Sequence, residues 1–377
     1  MTTQRLSTRV GAIAESATMA VTNKARELRA AGEPVIGFGA GEPDFPTPDH
    51  IVVAAVAACE DPVNHKYSAA GGLPELKAAL VEKTQRDSGW RPEVSQVLVT
   101  NGGKHAVYNS CAALLNPGDE VLLPAPYWTT YPECIALAGG TSVVLQTDVA
   151  SGFRVTVDQL EAARSPNTKA LFFVSPSNPT GAVYPADEIR AIGEWAHEHG
   201  IWVIADEIYE HLTYDGHVHH SIRALVPDLA DTCVVLNGVA KTYAMTGWRI
   251  GAAIGPENVI KIINKLNVNA ESCTNHFHQY AMVEAVNGDK SGAKAILSEL
   301  RSRRDTAVSG LNDIDGINIA IPECTFYLFP NVTKIMERKG IASVAELQLG
   351  ALHASGVSFC TRDHFGRPQE GETDFYF

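Results

Sequence analysis

Hydrophobic and polar positions follow two distinct rhythms along the chain. Residues 18–31, TMAVTNKARELRAA, place apolar positions at helical spacing, and the run stops at Gly32, which predicts an amphipathic helix with a glycine terminator. A short apolar strand, VIGF, and a Gly/Pro-rich turn, GAGEPDFPTP, come next. From residue 97 the pattern changes to short apolar runs: VLVT, DEVLLP, TSVVLQT, ALFFVSPSNPTG, WVIADEIYE and TCVVLNG. Most are separated by helical patterns such as ADEIRAIGEWAHEHG. Apolar strands joined by crossover helices predict an α/β fold with a largely parallel sheet covered on both faces. After about residue 285 a long charged helix, AKAILSELRSRRDTAVSGL, precedes INIAI, FYLFP and VSFC. These predict a smaller α+β unit, completed by the N-terminal segment.

Composition narrows the classes of function. At 377 residues the chain exceeds what one hydrophobic core usually supports, so two domains are expected. A formal charge of −13 repels nucleic acid and anionic lipid, and any anion site must be built from a few local cations. Small metabolites are the expected partners. Seven scattered cysteines, without a Cys-x-x-Cys pair, are expected to be free thiols in a reducing cytoplasm. Neither a signal peptide in MTTQRLSTRVGAIAES nor an apolar run of bilayer length is apparent, so no membrane association is expected.

Ligands of open α/β sheets lie at the carboxyl ends of the strands, so the residues delivered there are the candidates. VLVT delivers Asn101, Gly102, Gly103 and Lys104 before a helix, where free backbone N–H groups and the helix dipole suit a phosphate; an ordinary glycine turn is the competing reading. FFVSPSNPTG delivers Asn178, which is either aimed into a cleft or a plain turn residue. WVIADEIYE delivers Asp206 and Tyr209. An acid ending a buried strand needs a cation or donors, which a structural ion pair or a cofactor supplies. CVVLNGVAK delivers Lys241, followed by Arg249 in TYAMTGWRIG. A lysine after so apolar a run is poised for a lowered pKa, as a Schiff-base amine requires. No Gly-x-Gly-x-x-Gly opens a helix after the first strand, which disfavours a dinucleotide enzyme.

The order of these elements carries a family resemblance. SATMAV, AGEPDFPTP, YSAAGGLPELK, TNGGKHAVY, PAPYWTTYP, SPSNPTGAVYP, ADEIYEHLTY and NGVAKTYAMTGWRIG resemble the class I, fold-type I pyridoxal 5′-phosphate (PLP) aminotransferases, in the bacterial aspartate aminotransferase branch. The resemblance implies a large domain with a mostly parallel seven-stranded sheet between helices, over residues 44–285. It also implies a small α+β domain from residues 286–377, packed with an N-terminal segment of residues 1–43. By the same resemblance, Lys241 is the Schiff-base lysine, Asp206 faces the pyridine nitrogen, and Asn178 and Tyr209 bond the phenolic oxygen. Trp128 stacks on the ring, while Arg249 and the amides of Gly103 and Lys104 hold the phosphate. Tyr67 reaches the partner subunit's phosphate, implying a homodimer with shared active sites. Gly39 flanks the substrate carboxylate; Ser16, Thr18 and Lys104 match positions used for a side-chain carboxylate, with Trp128 and Asn178 also facing substrate. The implied reaction is ping-pong transamination of an acidic amino acid and a 2-oxo acid through pyridoxamine phosphate, with no metal.

Two departures stand out. The resemblance implies an arginine for the substrate α-carboxylate just after an aromatic stretch near the C-terminus, and this sequence runs GETDFYF to Phe377, which is expected to fall just short of it. A truncated sequence is the favoured expectation; Arg362 and Arg367 do not match the position. Relatives also carry Tyr or Trp at Ala252 and a Ser/Thr-rich stretch near NVNAESCTNHF, so Glu271, Cys273, His276 and His278 alter a stretch expected to face the pocket. These departures keep PLP-dependent elimination or γ-substitution open as a second reaction, and a catalytically silent binding protein as a third reading. The His-x-His pair is expected to be a polar helix pair, and His217, His219 and His220 a solvated hairpin.

Overall fold

The structure, a computed structural model, describes residues 6–15, 17–366 and 374–377. Near the N-terminus stands β1 (Ile36–Gly37). The sheet-forming strands are β2 (Val97–Thr100), β3 (Glu120–Ala125), β4 (Thr141–Gln146), β5 (Thr168–Val174), β6 (Trp202–Asp206), β7 (Cys233–Gly238) and β8 (Gly251–Ile254), and β9 (Val357–Ser358) follows. Seven of them form one sheet in the order β2-β8-β7-β6-β5-β3-β4. The pairs β3–β4, β3–β5, β5–β6 and β6–β7 are parallel, whereas β8 runs antiparallel to both β2 and β7. Six of these strands are the apolar runs read from the sequence. β8 was missed because GAAI offers only small side chains and no bulky signal.

Both faces of the sheet are covered, which is why its strands are continuously apolar. Leu98, Leu123, Phe172, Ile204 and Leu236 pack under the helices Gly103–Leu114, Thr130–Leu137 and Glu257–Ala270. Leu122, Leu171, Phe173, Val203 and Val235 face the other way, onto Ile189, Ile192 and Trp195 of the helix Ala186–Glu198. Burying one such side chain contributes about 1.5–3 kcal/mol. Ala252 corrects an expectation: it does not face a pocket. It lies fully buried in β8, packed with Val97, Val99 and Ile254 against Leu76 and Met282.

The C-terminal strands also differ from expectation. INIAI and FYLFP form no strand, and among the described residues this region is joined by the isolated bridges Thr213↔Cys324, Asn318↔Asn331 and Asn331↔Tyr376. Thr325 has φ +64, which breaks an extended run just before Phe326. Only the VSFC segment makes a strand, β9, which pairs parallel with β1 through Ile36↔Val357 and Gly37↔Ser358. That pairing ties the N-terminal segment to the C-terminal one. No helix among the described residues is long and apolar enough to cross a membrane.

Candidate active site

Strand polarity assembles the site. The parallel strands place Asn178, Asp206 and Lys241 beyond one edge of the sheet, where ligands of such sheets lie. Because β8 runs the other way, the residues preceding it reach the same edge, with Gly251 opposite both Thr100 and Gly238. Arg249 therefore lies beside the turn that follows β2. A Cβ on Gly102 would come within 2.5 Å of Arg249 Nη2, and Gly102 itself sits at φ +84. Only glycine serves there. The Arg249 guanidinium donates to Thr246 O (2.9 Å) and Asn101 O (3.3 Å), both neutral carbonyls, at the N-terminus of the helix Gly103–Leu114. Free amides, the helix dipole and a planar guanidinium form an anion cradle.

Asp206 is 6% exposed at the end of β6. Its carboxylate accepts from the Tyr131 hydroxyl (2.8 Å) and the Ile208 amide (3.1 Å). Burial raises its pKa above the ordinary value, opposed by those two bonds and by the Lys241 charge, with Glu207 adding to the rise. A carboxylate in this state gains most from a nearby cationic ring nitrogen.

Lys241 lies in the turn after β7, half-buried, and its ammonium donates to Gly41 O. Burial pushes its pKa down to about 8, against the opposing charges of Glu42 and Asp206 and with help from Arg249. The amine is thus substantially neutral near pH 8, the state a carbonyl-attacking nucleophile needs. Its Nζ lies 5.8 Å from the Tyr209 ring and 5.6 Å from the Phe326 ring. Tyr209 is 3% exposed; its hydroxyl meets Asn178 Nδ2 at 3.4 Å and Tyr327 Oη at 2.7 Å.

A profile of the family "Aminotransferase class I and II" matches residues 33–353. The chain belongs to this family. It is 54% identical over 371 residues to an aspartate aminotransferase of Streptomyces avermitilis, spanning 97% of this chain and 91% of that one. An aspartate aminotransferase structure from Rhizobium meliloti superposes with a TM-score of 0.93 at 37% identity, covering 99% of this chain and 93% of that one. The Thermus thermophilus aspartate aminotransferase solved with maleate gives a TM-score of 0.90 at 36% identity, covering 99% and 94%. This is accordingly a PLP-dependent, aspartate aminotransferase-like enzyme of the class I fold.

The aminotransferase's own residues fit that cofactor. Asn178 Oδ1 is buried without a hydrogen-bond partner, a costly state that a ligand donor relieves. The Gly102 turn is open where a side chain would collide with Arg249, and Asp206 is buried with only neutral donors on it.

The remaining expected residues are placed unevenly. Trp128 is half-buried, edge-on to Tyr131 at 5.4 Å. The Lys104 ammonium lies 5.2 Å over the Trp128 ring. Burial lowers its pKa, Cys134 raises it and Arg249 lowers it. Gly39 is buried, and a Cβ there would come within 2.8 Å of Val21 Cγ1. Thr18 sits in the first turn of the helix Ala17–Ala30, while Ser16 and Arg367 lie outside the described residues. Tyr67 is not gathered into this cluster but stands 85% exposed. Arg362 is buried and donates to Gln146 Oε1 (2.8 Å), Phe365 O (3.3 Å) and Gly366 O, bracing the C-terminal segment against the end of β4.

The pairings behind the site escaped sequence reasoning. Along the turn Asp206–Glu210, Asp206 and Tyr209 face the cleft side, while Glu207 and Glu210 point into a buried charge network. His219, expected in a solvated hairpin, instead lies 5% exposed with Nε2 3.3 Å from Glu207 Oε2. Glu207 follows directly on β6 and, being buried, needs a partner, which His219 supplies. Glu210 bonds Lys83, whose Nζ is also 3.4 Å from Asp87, and His211 lies 3.3 Å from Asp87. Asp87, Glu210 and His211 are close enough to hold a metal, but the Lys83 ammonium already neutralises them. Glu271 turns to the Asn101–Lys104 turn, where it bonds Asn101, and lies 2.8 Å from His105 Nε2. His276 and His278 diverge: one contacts Lys66 O, the other packs on Trp248.

Proposed function

We propose that this enzyme transaminates aspartate or a related acidic amino acid with 2-oxoglutarate, using Lys241, Asp206 and Tyr209 as its catalytic groups. The observation that carries the assignment is the convergence of a half-neutral Lys241, a buried Asp206 and the Gly102–Arg249 cradle at one sheet edge. PLP bound there supplies an electron sink for the substrate Cα and carries the amino group between the two half-reactions.

In this reading Arg249 and the Gly103 and Lys104 amides hold the phosphate, and Trp128 covers one face of the ring. Asp206 keeps a proton on the ring nitrogen. A carboxylate at about 4 Å stabilises such a cation by about 4 kcal/mol at an effective dielectric of about 20. Tyr209 and Asn178 hold the phenolic oxygen. Lys241, once displaced by substrate, moves a proton at the substrate Cα, a role worth typically ~10²–10⁴ in rate.

In this reading substrate choice rests on Lys104 and Thr18, with Gly39 flanking the α-carboxylate. The relatives' names and the maleate bound to the Thermus thermophilus enzyme support a dicarboxylate; none favours elimination or γ-substitution. The exposed Tyr67 supports a homodimer in which it reaches the partner's phosphate. The β1–β9 pairing supports the division at residues 43 and 285, and the free thiols support a cytoplasmic location. Adding L-aspartate to PLP-loaded protein is expected to abolish the visible cofactor band, and 2-oxoglutarate to restore it. A band that does not respond to aspartate would refute the substrate assignment.

A further inference from the structure

FYLFP, read from the sequence as a strand, performs a different task. Phe326 and Tyr327 pack against Tyr209, Leu212 and Tyr214. The turn before them is held in place despite strain: Thr325 is 1% exposed at φ +64, a conformation that persists only when its surroundings over-determine it. Here they do. Thr325 N donates to Leu212 O at 2.8 Å, and the Tyr214 hydroxyl donates to Thr325 O. The result is a 2.7 Å bond between the Tyr327 and Tyr209 hydroxyls, with the rings 5.8 Å apart at 79°. Gly41, whose carbonyl accepts from Lys241, leaves room for it: a Cβ there would lie 2.8 Å from Tyr327 Oη.

We propose that Tyr327 is a positioning residue that donates its hydroxyl proton to the Tyr209 oxygen and thereby turns the single Tyr209 proton toward the cofactor's phenolic oxygen. The inference rests on the proposed placement of PLP at Lys241. Each phenol has one proton to give. Asn178 Nδ2 also approaches the Tyr209 oxygen, at 3.4 Å. With both neighbours donating, the Tyr209 proton has one direction left. A hydroxyl that accepts a hydrogen bond is also a better donor, by about 10–30% per bond. The other titratable groups facing the pair are Asp206, Tyr131, Cys360 and Lys241. Burial raises the pKa of both phenols well above the ordinary tyrosine value, so both keep their protons at working pH.

The test is the pH midpoint of the visible-band shift in PLP-loaded wild type, Y327F, Y209F and the double variant, with PLP affinity measured beside it. A weaker donor leaves the phenolic oxygen more basic, so the proton shared with it departs at higher pH. Y327F is expected to raise the midpoint by roughly 0.2–0.6 pH unit. Y209F raises it further, and Y209F/Y327F matches Y209F alone, because Tyr327 acts only through Tyr209. Y327H, which restores a donor, moves the midpoint back toward wild type. An unshifted Y327F, a Y327F effect that persists without the Tyr209 hydroxyl, or no recovery in Y327H overturns the proposal. A wild type without a visible band would instead overturn the placement of PLP, so the two failures are distinguishable.

Discussion

The Tyr131 hydroxyl donates a 2.8 Å hydrogen bond to the Asp206 carboxylate, beneath the sheet edge where the candidate site lies. Tyr131 is itself 1% exposed and stacked on Phe172 at 4.6 Å, so its hydroxyl has little freedom to turn elsewhere. The bond favours the ionised form of an acid that burial drives toward neutrality. Y131F therefore raises the Asp206 pKa further, and the acid limb of the kcat/KM profile moves to higher pH. D206N removes the charge altogether, and kcat falls on the order of a hundred- to thousand-fold while PLP stays bound. An acid limb that does not move in Y131F would separate Tyr131 from Asp206.

Gly102 is required by shape rather than chemistry. In G102A the new methyl meets Arg249 Nη2 at 2.5 Å on a backbone at φ +84, so either the guanidinium or the turn must shift. We expect PLP affinity to fall at least tenfold, equivalent to about 1.4 kcal/mol. Equilibrium titration of apoprotein measures this directly, and an unchanged affinity in G102A would contradict it.

The Glu207–His219 pair makes stability depend on pH. Burial lowers the His219 pKa, but the charge of the Glu207 carboxylate 3.3 Å away, assisted by Glu210 and opposed by Lys83, raises it above the ordinary value of 6.5 overall. The stabilisation is fully present below that value and is lost as pH rises through the higher folded pKa. Thermal midpoints of wild type are expected to drop by about 2–4 °C across that rise, a step absent from H219Q. Breaking a buried pair by removing one partner costs about 3–5 kcal/mol, so E207A is strongly destabilised at any pH.

Lys104 tests the substrate reading separately from the cofactor. K104M is expected to raise KM for aspartate about tenfold or more, the worth of one charge-assisted hydrogen bond, and to leave the half-reaction with alanine nearly unchanged. Equal losses for both amino acids would assign Lys104 to the phosphate turn.

Much of this arrangement was legible because the catalytic groups follow strong apolar strands. VLVT, WVIADEIYE and TCVVLNG each announce a buried strand whose next polar residues must lie at the sheet edge. The parts that were not legible depend on long-range partners. Glu207 and His219 lie 12 residues apart in sequence, yet nothing local says that a histidine in a polar loop folds back under the sheet. Tyr327 reaches Tyr209 across 118 positions, and the β-rich pattern FYLFP pointed to a strand until the Thr325 turn took precedence. GAAI concealed β8 because glycine and alanine give no periodic signal, although its antiparallel direction is what brings Arg249 to the site.

The central claim is that Lys241 holds PLP over Asp206. Borohydride reduction of PLP-loaded protein, followed by peptide mass analysis, tests it most directly, because reduction makes a lysine–cofactor linkage permanent. A single labelled peptide containing Lys241 is expected, and no label in K241A supplied with the same cofactor. Label on Lys104 or another lysine, with Lys241 unmodified, would contradict it.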